Sequence, residues 1–324
     1  MKQKKAMSLL AGVALALSAA GAAAQTKWDM PTPYTDGTFH TQNVRQFVDE
    51  LKKATGGQLD VTVHSNASLI KAPDILRAVQ TGQVNAGEIL LSAFENEDPM
   101  FGADGIPFLA TGFDNAWKLY QAQKPFLEKR MLARGVRVLY SVPWPGQAIF
   151  TKAPLKSIDD LKGVKFRSYS PGTARIAELL GAVPTTVQAA EVPQAFATNL
   201  VTAMITSSAT GVASKAWEFS KVYYDTNAFH PRNAVIVNER AFQRLPEAVR
   251  GEALKAAAAA EKRGWEMARQ NQASGMKTLA DNGMSVVQPD AGMNAAFTRV
   301  GDAMLGEWLK KAGADGEAMV KAYR

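Results

Sequence analysis

A chain of 324 residues, 47% of them hydrophobic, is long enough to form two domains with sizeable cores. Its formal net charge of +7 comes without any long block of lysine and arginine, which argues against a nucleic-acid-binding protein. The sequence contains no cysteine, so thiolate catalysis, disulfide bonds and cysteine-ligated zinc are excluded.

The first 24 residues have the three parts of a bacterial secretory signal. Three lysines within the first five residues precede an apolar run from Met7 to Ala20, and the small residues Ala22–Ala24 form a peptidase site before Gln25. An uncleaved N-terminal anchor is the alternative, but the apolar run is short for a membrane span. We expect a periplasmic protein cleaved near Ala24. Cleavage removes three lysines and no acids, which lowers the formal charge from +7 to +4.

The first half of the chain predicts alternating helices and strands, because apolar residues repeat first at helical and then at strand spacing. The predicted elements are a helix over 43–54, a strand over 59–63, a helix from Ile75 to Gly82, a strand over 84–91, a helix over 114–134 and a strand over 136–142. This order predicts an α/β domain with a largely parallel sheet.

The segment Pro143–Gly146 interrupts this alternation, and a second α/β unit follows it. Its predicted elements are a strand over 164–167, helices over 172–181 and 191–199, and strands over 201–205 and 234–237. An alanine-rich stretch over 246–281 predicts one helix that is longer than usual in globular proteins. A helix of that length can run across both domains.

Arg167 is the first candidate for ligand binding. A guanidinium presents paired donors that match a carboxylate, and this residue ends a predicted strand, where ligands of α/β proteins collect. A surface ion pair with Asp159 or Asp160 is the alternative role. We expect the Arg167 side chain to face an open, wet cleft in the empty protein.

Three aromatic residues are candidate walls of a ligand cleft. Trp144 lies in the segment between the two units, Tyr169 follows Arg167 by two residues, and Phe39 precedes the first predicted helix. Aromatic rings supply apolar area and a face for stacking. Ordinary core packing is the alternative for each of them.

Motifs for catalysis and for metal binding are absent from the sequence. None of the three histidines is spaced from another like a metal-ligand pair on a helix, and there is no G-x-S-x-G motif and no phosphate-binding loop. We therefore expect no enzyme, no cofactor and no metal. A secreted hydrolase or isomerase that uses Glu191 or Asp225 with a histidine is the alternative from another class.

Several segments together resemble a known family, the solute-binding subunits of tripartite ATP-independent periplasmic (TRAP) transporters, also described as DctP-type periplasmic receptors. The resemblance covers essentially the whole chain after the signal, and it depends on the order and spacing of the segments. They are Gly56–Leu59, Asn66–Leu69, Val79–Val84, Phe101–Leu109, Asp159–Arg167, Gly181–Thr185 with Glu191, and Asn238–Pro246.

The resemblance implies a two-lobed α/β clamshell of the periplasmic-binding-protein type, with a long helix crossing both domains. Domain I would comprise residues 25–145 and 234–270, and domain II residues 146–233 and 271–324, after the signal peptide of residues 1–24. It further implies a monomeric extracytoplasmic receptor that captures a small organic carboxylate between the domains. The ligand would then pass to the membrane subunits of a permease driven by an ion gradient.

The resemblance also assigns roles in the cleft. It makes Arg167 the carboxylate-binding arginine, whereas Gln147 replaces a second arginine that sialic-acid receptors of the family carry. A neutral amide there, together with the aromatic walls, favours a monocarboxylate with an apolar or aromatic body, and a sugar acid is the alternative ligand. The remaining polar positions that the resemblance implies line the cleft are Asn66, Lys71, Thr206, Ser207 and Asn233. Phe229 is a further candidate for ligand binding, because it lies in a predicted hinge or cleft loop.

Overall fold

The computed structural model describes residues 25–324. The predicted signal, residues 1–24, lies outside the described residues. None of the helices within residues 25–324 combines the length and the apolar character that crossing a bilayer requires.

The described chain contains eleven strands and nine α-helices, joined by short 3-10 helices and loops. The strands are β1 (Thr26–Pro31), β2 (Leu59–His64), β3 (Ala86–Leu90), β4 (Val136–Pro143), β5 (Gln147–Thr151), β6 (Lys165–Ser168), β7 (Val183–Thr186), β8 (Ala203–Ser207), β9 (Val222–Tyr224), β10 (Arg232–Asn238) and β11 (Ser285–Val287). The helices are α1 (Phe39–Ala54), α2 (Ile75–Thr81), α3 (Gly112–Ala133), α4 (Pro171–Leu179), α5 (Val192–Ala197), α6 (Ser208–Ala213), α7 (Glu239–Gln243), α8 (Glu247–Asp281) and α9 (Ala291–Tyr323).

The first lobe is built on β1–β4 and β10. Strands β1 and β2 pair in parallel, and β10 lies between β3 and β4 and runs antiparallel to both. The prediction of a largely parallel sheet is therefore wrong for this lobe. The reason is topological: β4 leaves the lobe where β10 returns to it from the second lobe, so the two strands run in opposite directions.

The second lobe contains a six-stranded mixed sheet in the order β11-β9-β5-β8-β6-β7. Strand β6 is parallel to both β7 and β8, so the carboxyl ends of these three strands meet at one edge. Strand β5 runs antiparallel to β8, which places its first residue, Gln147, opposite Ser207 at that same edge. This edge faces the first lobe and forms one side of the cleft described below.

Separate cores stabilise the two lobes, as the pattern of apolar residues requires. In the first lobe, Phe47 and Leu51 of α1 pack with Tyr140 of β4 and with alanines of α8. In the second, Phe166 of β6 packs with Phe297 of α9 and with a segment that precedes α3. Each sheet therefore has its own hydrophobic core.

Helix α8 crosses both lobes over its 35 residues, as predicted. It packs on α1 and β4 in the first lobe and on α6 and β11 in the second. Two glycines permit the closest approaches. A Cβ atom at Gly264 would lie 2.4 Å from a methyl of Val142, and one at Gly275 would lie 2.8 Å from Oγ of Ser208. The structure thus confirms the two-lobed α/β architecture with a long crossing helix.

Candidate functional site

A cleft of about 1070 Å³ lies between the two lobes and is lined by both. The carboxyl ends of β6, β7 and β8 contribute Arg167, Thr186 and Ser207 to it, as expected where parallel strands end at one edge. The first lobe contributes aromatic and aliphatic side chains and a polar loop. Its lining residues include Tyr34, Asn66, Lys71, Leu90 and Trp144.

Arg167 is the charged centre of the second-lobe side. It borders the cleft as expected, but it is only 2% exposed, so the expectation of an open, wet surrounding is wrong. Nε donates to the carbonyl of Val187 (2.9 Å), Nη1 donates to that of Ile205 (3.5 Å), and the guanidinium lies 4.9 Å from the ring centre of Tyr169. Burial lowers the pKa of Arg167 to about 10.

No acidic side chain among residues 25–324 forms an ion pair with Arg167. The two alternative partners are engaged elsewhere: Asp159 pairs with Lys162, and Asp160 accepts from the backbone of Lys156. A buried arginine held only by neutral carbonyls is a site at which an anion gains both charge compensation and hydrogen bonds. The arrangement is suited to a carboxylate.

Gln147 and Tyr169 form a hydrogen-bonded pair beside Arg167. The hydroxyl of Tyr169 donates to Oε1 of Gln147 (2.7 Å), and Nε2 of Gln147 donates to the carbonyl of Pro145 (2.9 Å). Burial raises the pKa of Tyr169, so its hydroxyl stays a donor at neutral pH. We call Arg167, Gln147 and Tyr169 the cationic wall.

The opposite wall is aromatic. The rings of Tyr34 and Trp144 meet edge to face with centres 5.0 Å apart. Oδ1 of Asn233 accepts from both of them, from Nε1 of Trp144 at 2.9 Å and from the hydroxyl of Tyr34 at 3.2 Å. We call Tyr34 and Trp144 the aromatic wall; one buried amide fixes both rings.

Behind the aromatic wall lies a buried carboxylate, Glu88. It accepts from Nδ2 of Asn233 (2.9 Å) and from Oγ1 of Thr32 (2.5 Å), and Nδ1 of His40 lies 3.3 Å from it. Burial lowers the pKa of His40, which leaves the ring neutral at pH 7. No lysine or arginine of the described residues pairs with Glu88.

Most of the predicted site residues line the cleft, and three do not. Arg167, Gln147, Trp144, Tyr169, Asn66, Lys71, Thr206 and Ser207 all border it. Phe39 packs behind Trp144 with ring centres 5.6 Å apart, and Phe229 is a core residue whose carbonyl accepts from the backbone N–H of Gln147 (3.0 Å). Asn233 lies one layer behind the aromatic wall.

Other cleft residues were missed in the sequence, and Tyr34 is the most prominent. It lies in an irregular loop before α1, where no periodicity marks it. Ser170 had a usable signal: it is followed by Pro171 at the start of α4, and its Oγ accepts from the backbone of Thr173 (3.1 Å) as a helix cap. Further polar residues of the cleft that were missed include Thr186, Gln188 and Thr210.

The described residues offer no obvious place for a metal ion. Among residues 25–324, no group of three or more His, Asp or Glu side chains could hold one. No histidine borders the cleft within that range: His40 and His230 are buried behind it, and Nδ1 of His230 is bonded to the carbonyl of Trp144 (3.1 Å).

Fold and cleft together define a class: a two-lobed receptor that encloses a small anion. The family model described as bacterial extracellular solute-binding protein, family 7, matches residues 32–311. The chain therefore belongs to this family of extracytoplasmic solute receptors, which confirms the resemblance described above.

Individual relatives support the same conclusion. The chain is 27% identical over 285 residues to the C4-dicarboxylate-binding periplasmic protein DctP of Rhodobacter capsulatus, covering 86% of this chain and 84% of that protein. It is 51% identical to DctP6, a Bordetella pertussis extracytoplasmic solute receptor binding pyroglutamic acid, with a TM-score of 0.91 and coverage of 92% of this chain and 99% of that one. It is 39% identical to a marine metagenome TRAP solute-binding protein specific for pyroglutamate, with a TM-score of 0.91 and coverage of 93% of this chain and 99% of that one.

Proposed function

We propose that the protein is a periplasmic receptor for pyroglutamate, the five-membered lactam of glutamate. The observation that carries the proposal is the buried Arg167, which faces the cleft without an acidic partner among residues 25–324. The two receptors with 51% and 39% identity, which bind pyroglutamate, supply the particular ligand. The sequence-based expectation of a monocarboxylate agrees with this choice.

The chemistry of pyroglutamate fits the two walls. Its one carboxylate matches the guanidinium of Arg167, and its flat ring suits the faces of Trp144 and Tyr34. The lactam has one N–H donor and one carbonyl acceptor, which need neutral polar partners. Thr206 and Ser207 offer hydroxyls at the cleft surface for this purpose.

A sugar acid is the second candidate ligand, favoured by the size of the cleft. A volume of about 1070 Å³ exceeds what a nine-atom lactam fills, so either the lobes close further or a larger ligand enters. Leu90 on the cleft surface argues against a ligand that carries many hydroxyls, because it offers them no hydrogen bond.

We further propose that the protein acts after export, cleaved near Ala24, and delivers its ligand unchanged to the membrane subunits of a TRAP permease. The enzymatic alternative lacks support from the cleft. Glu191 borders it but accepts from the backbone of Gln188 (3.3 Å), and no histidine of the described residues borders it. General acid–base catalysis needs such a group within hydrogen-bond reach of the ligand.

Titration calorimetry of the mature protein tests the proposal. We expect pyroglutamate to bind more tightly than glutamate, glucuronate or succinate, and to raise thermal stability by about 2.7 kcal/mol at a hundredfold excess over Kd. Mass spectrometry of the ligand after incubation should recover it unchanged. Tighter binding of glucuronate would favour the sugar-acid alternative, and consumption of the ligand would favour an enzyme.

A further inference from the structure

The cleft has a buried cation on one side and a buried anion behind the other. Arg167 belongs to the cationic wall, and Glu88 lies directly behind the aromatic wall; both are almost fully buried. Tyr34 is near enough to both charges to be influenced by each: Glu88 raises its pKa and Arg167 lowers it, while burial is the largest cause of its raised pKa.

Glu88 is held as an acceptor by neutral groups only. Thr32 and Asn233 donate to its two oxygens, and the neighbouring ring of His40 is neutral because burial lowers its pKa. Both carboxylate oxygens of Glu88 therefore accept hydrogen bonds from neutral groups, and no lysine or arginine of the described residues pairs with them.

The connection from Glu88 to the cleft passes through one residue. Nδ2 of Asn233 donates to Glu88, and Oδ1 of the same amide accepts from Trp144 and Tyr34. The charge thus lies one amide behind the surface that meets the ligand end opposite the carboxylate. In a partly desolvated cleft the effective dielectric constant is low, so a charge at this depth acts on the ligand.

We propose that Glu88 is a specificity-determining residue that makes the cleft reject ligands with a second negative charge. This inference rests on the proposed function, in which Arg167 binds the only carboxylate. A neutral lactam end can contact the aromatic wall, whereas a second carboxylate there would face Glu88 with no cation beside it. Like charges brought together in a binding site reduce affinity by on the order of 10- to 100-fold.

The test uses rings of one size whose distal groups differ in charge; the carboxylate and the carboxamide also match in shape. The probes are cis-1,3-cyclopentanedicarboxylate, its monoamide, and 3-aminocyclopentane-1-carboxylate, with distal charges of −1, 0 and +1. Calorimetry on the wild-type protein should show that the monoamide binds at least about tenfold more tightly than the diacid, and that the amine binds no more weakly than the monoamide. A diacid that binds as tightly as the monoamide overturns the proposal, as does failure of the monoamide to bind.

Variants then assign the effect to Glu88. In Glu88→Gln the monoamide-to-diacid affinity ratio should fall about tenfold or more. Thr32→Val is the matched control, because it removes one hydrogen bond to Glu88 but keeps the charge; its ratio should stay within about threefold of the wild type. A ratio that Glu88→Gln leaves unchanged, or that Thr32→Val changes equally, would mean that Glu88 is only structural.

Salt distinguishes Glu88 from the exposed acids of the cleft and keeps the proposal testable if Glu88→Gln does not fold. Glu97 and Glu191 border the cleft but are exposed, so ions screen them, whereas a buried charge is screened much less. The wild-type ratio should persist in about 0.5 M salt. If the monoamide-to-diacid affinity ratio falls to one in high salt, the effect belongs to Glu97 and Glu191 and the proposal is wrong.

Pyroglutamate itself is tested separately. If it fails to bind while the monoamide binds with the expected ratio, only the proposed ligand is wrong.

Discussion

The two walls of the cleft differ in how they recognise a ligand. The cationic wall presents a charge, Arg167, carried on a strand and fixed by backbone carbonyls. The aromatic wall presents rings from two loops, Tyr34 and Trp144, whose positions depend on the side chain of Asn233. Under the proposed function, the comparison assigns affinity for the carboxylate to one lobe and selection of the rest of the ligand to the other. Both lobes must meet for the site to be complete.

The largest expected effect comes from removing the charge of the cationic wall. Arg167→Ala should weaken pyroglutamate binding by roughly 2–5 kcal/mol, because the ligand carboxylate would be enclosed without a partner. Arg167→Lys should restore part of the loss, since it keeps the charge and loses the paired donors. Calorimetry on the three proteins measures this.

The control for this prediction is Arg175→Ala. Arg175 lies on the surface in α4, where it pairs with Glu307 (2.8 Å). Its removal should leave ligand affinity unchanged within error. If Arg167→Ala bound the ligand as tightly as the wild type, the assignment of the carboxylate to the cationic wall would be wrong.

The aromatic wall should be destabilised when Asn233, the hydrogen-bond acceptor that anchors its two rings, is removed. Asn233→Ala removes the acceptor of Trp144 and Tyr34 and one donor to Glu88, so three buried groups lose a partner. We expect the free energy of unfolding to fall by roughly 2–4 kcal/mol, measured by urea denaturation. Asn271→Ala is the control, because its amide only donates to the carbonyl of Met267 within α8 (2.8 Å). A loss below about 1 kcal/mol in Asn233→Ala would show that the rings hold without the anchor.

Glu95 lies where the two lobes approach each other. Its carboxyl group packs against Gly102 and against Gly172 of α4, and burial raises its pKa from the ordinary 4.5 to about 7, against the opposing effect of Lys311. A raised folded-state pKa means that the folded protein binds more protons between pH 4.5 and 7. This group therefore stabilises the fold below about pH 4.5, and that contribution is lost as pH rises to 7.

Glu95→Gln should remove this pH dependence. The variant should gain stability relative to the wild type as pH rises from 5 to 8, by about 2 kcal/mol. Urea denaturation at both values measures the difference. His230 has the opposite dependence, because burial lowers its pKa to about 4, but it is common to both proteins and cancels. A constant difference between pH 5 and 8 would contradict the raised pKa.

A smaller effect is expected from removing one tyrosine hydroxyl from each wall. Tyr169→Phe loses the 2.7 Å hydrogen bond to Gln147, and Tyr34→Phe loses the 3.2 Å bond to Asn233. We expect the free energy of unfolding to fall by about 1 kcal/mol in Tyr169→Phe. The loss in Tyr34→Phe should be smaller, because the hydrogen bond of Tyr34 is longer and its side chain is only half-buried. The reverse order in urea denaturation would mean that the aromatic wall is the more rigid of the two.

The smallest expected signal is the approach of the walls. Because the cleft exceeds the volume of a small lactam, ligand binding should rotate the lobes toward each other about the segments that cross between them. Small-angle scattering should show a smaller radius of gyration with saturating pyroglutamate than without it. An unchanged radius would indicate that the empty receptor is already closed.

The sequence predicted the elements better than their arrangement. Periodicity located α1, and an alanine-rich composition located the long helix α8, each to within a few residues. Neither pattern revealed that β10 pairs antiparallel with β3 and β4, because the direction of a returning strand depends on where the chain leaves and re-enters the lobe. Local patterns carry no information about that path.

For the site, too, some features could be predicted from the sequence and others depend on the tertiary structure. By itself, the sequence determined the absence of cysteine chemistry, and it predicted an export signal, two α/β units and a long connecting helix; with the family resemblance it also predicted Arg167 as the arginine that binds a carboxylate. Only the tertiary structure decided that Arg167 is buried without an acidic partner among residues 25–324, that Tyr34 joins Trp144, and that Glu88 lies behind both. Residues 34, 88, 144 and 233 are far apart in the chain. Their contact depends on the packing of loops and strands against each other, which no short-range pattern encodes.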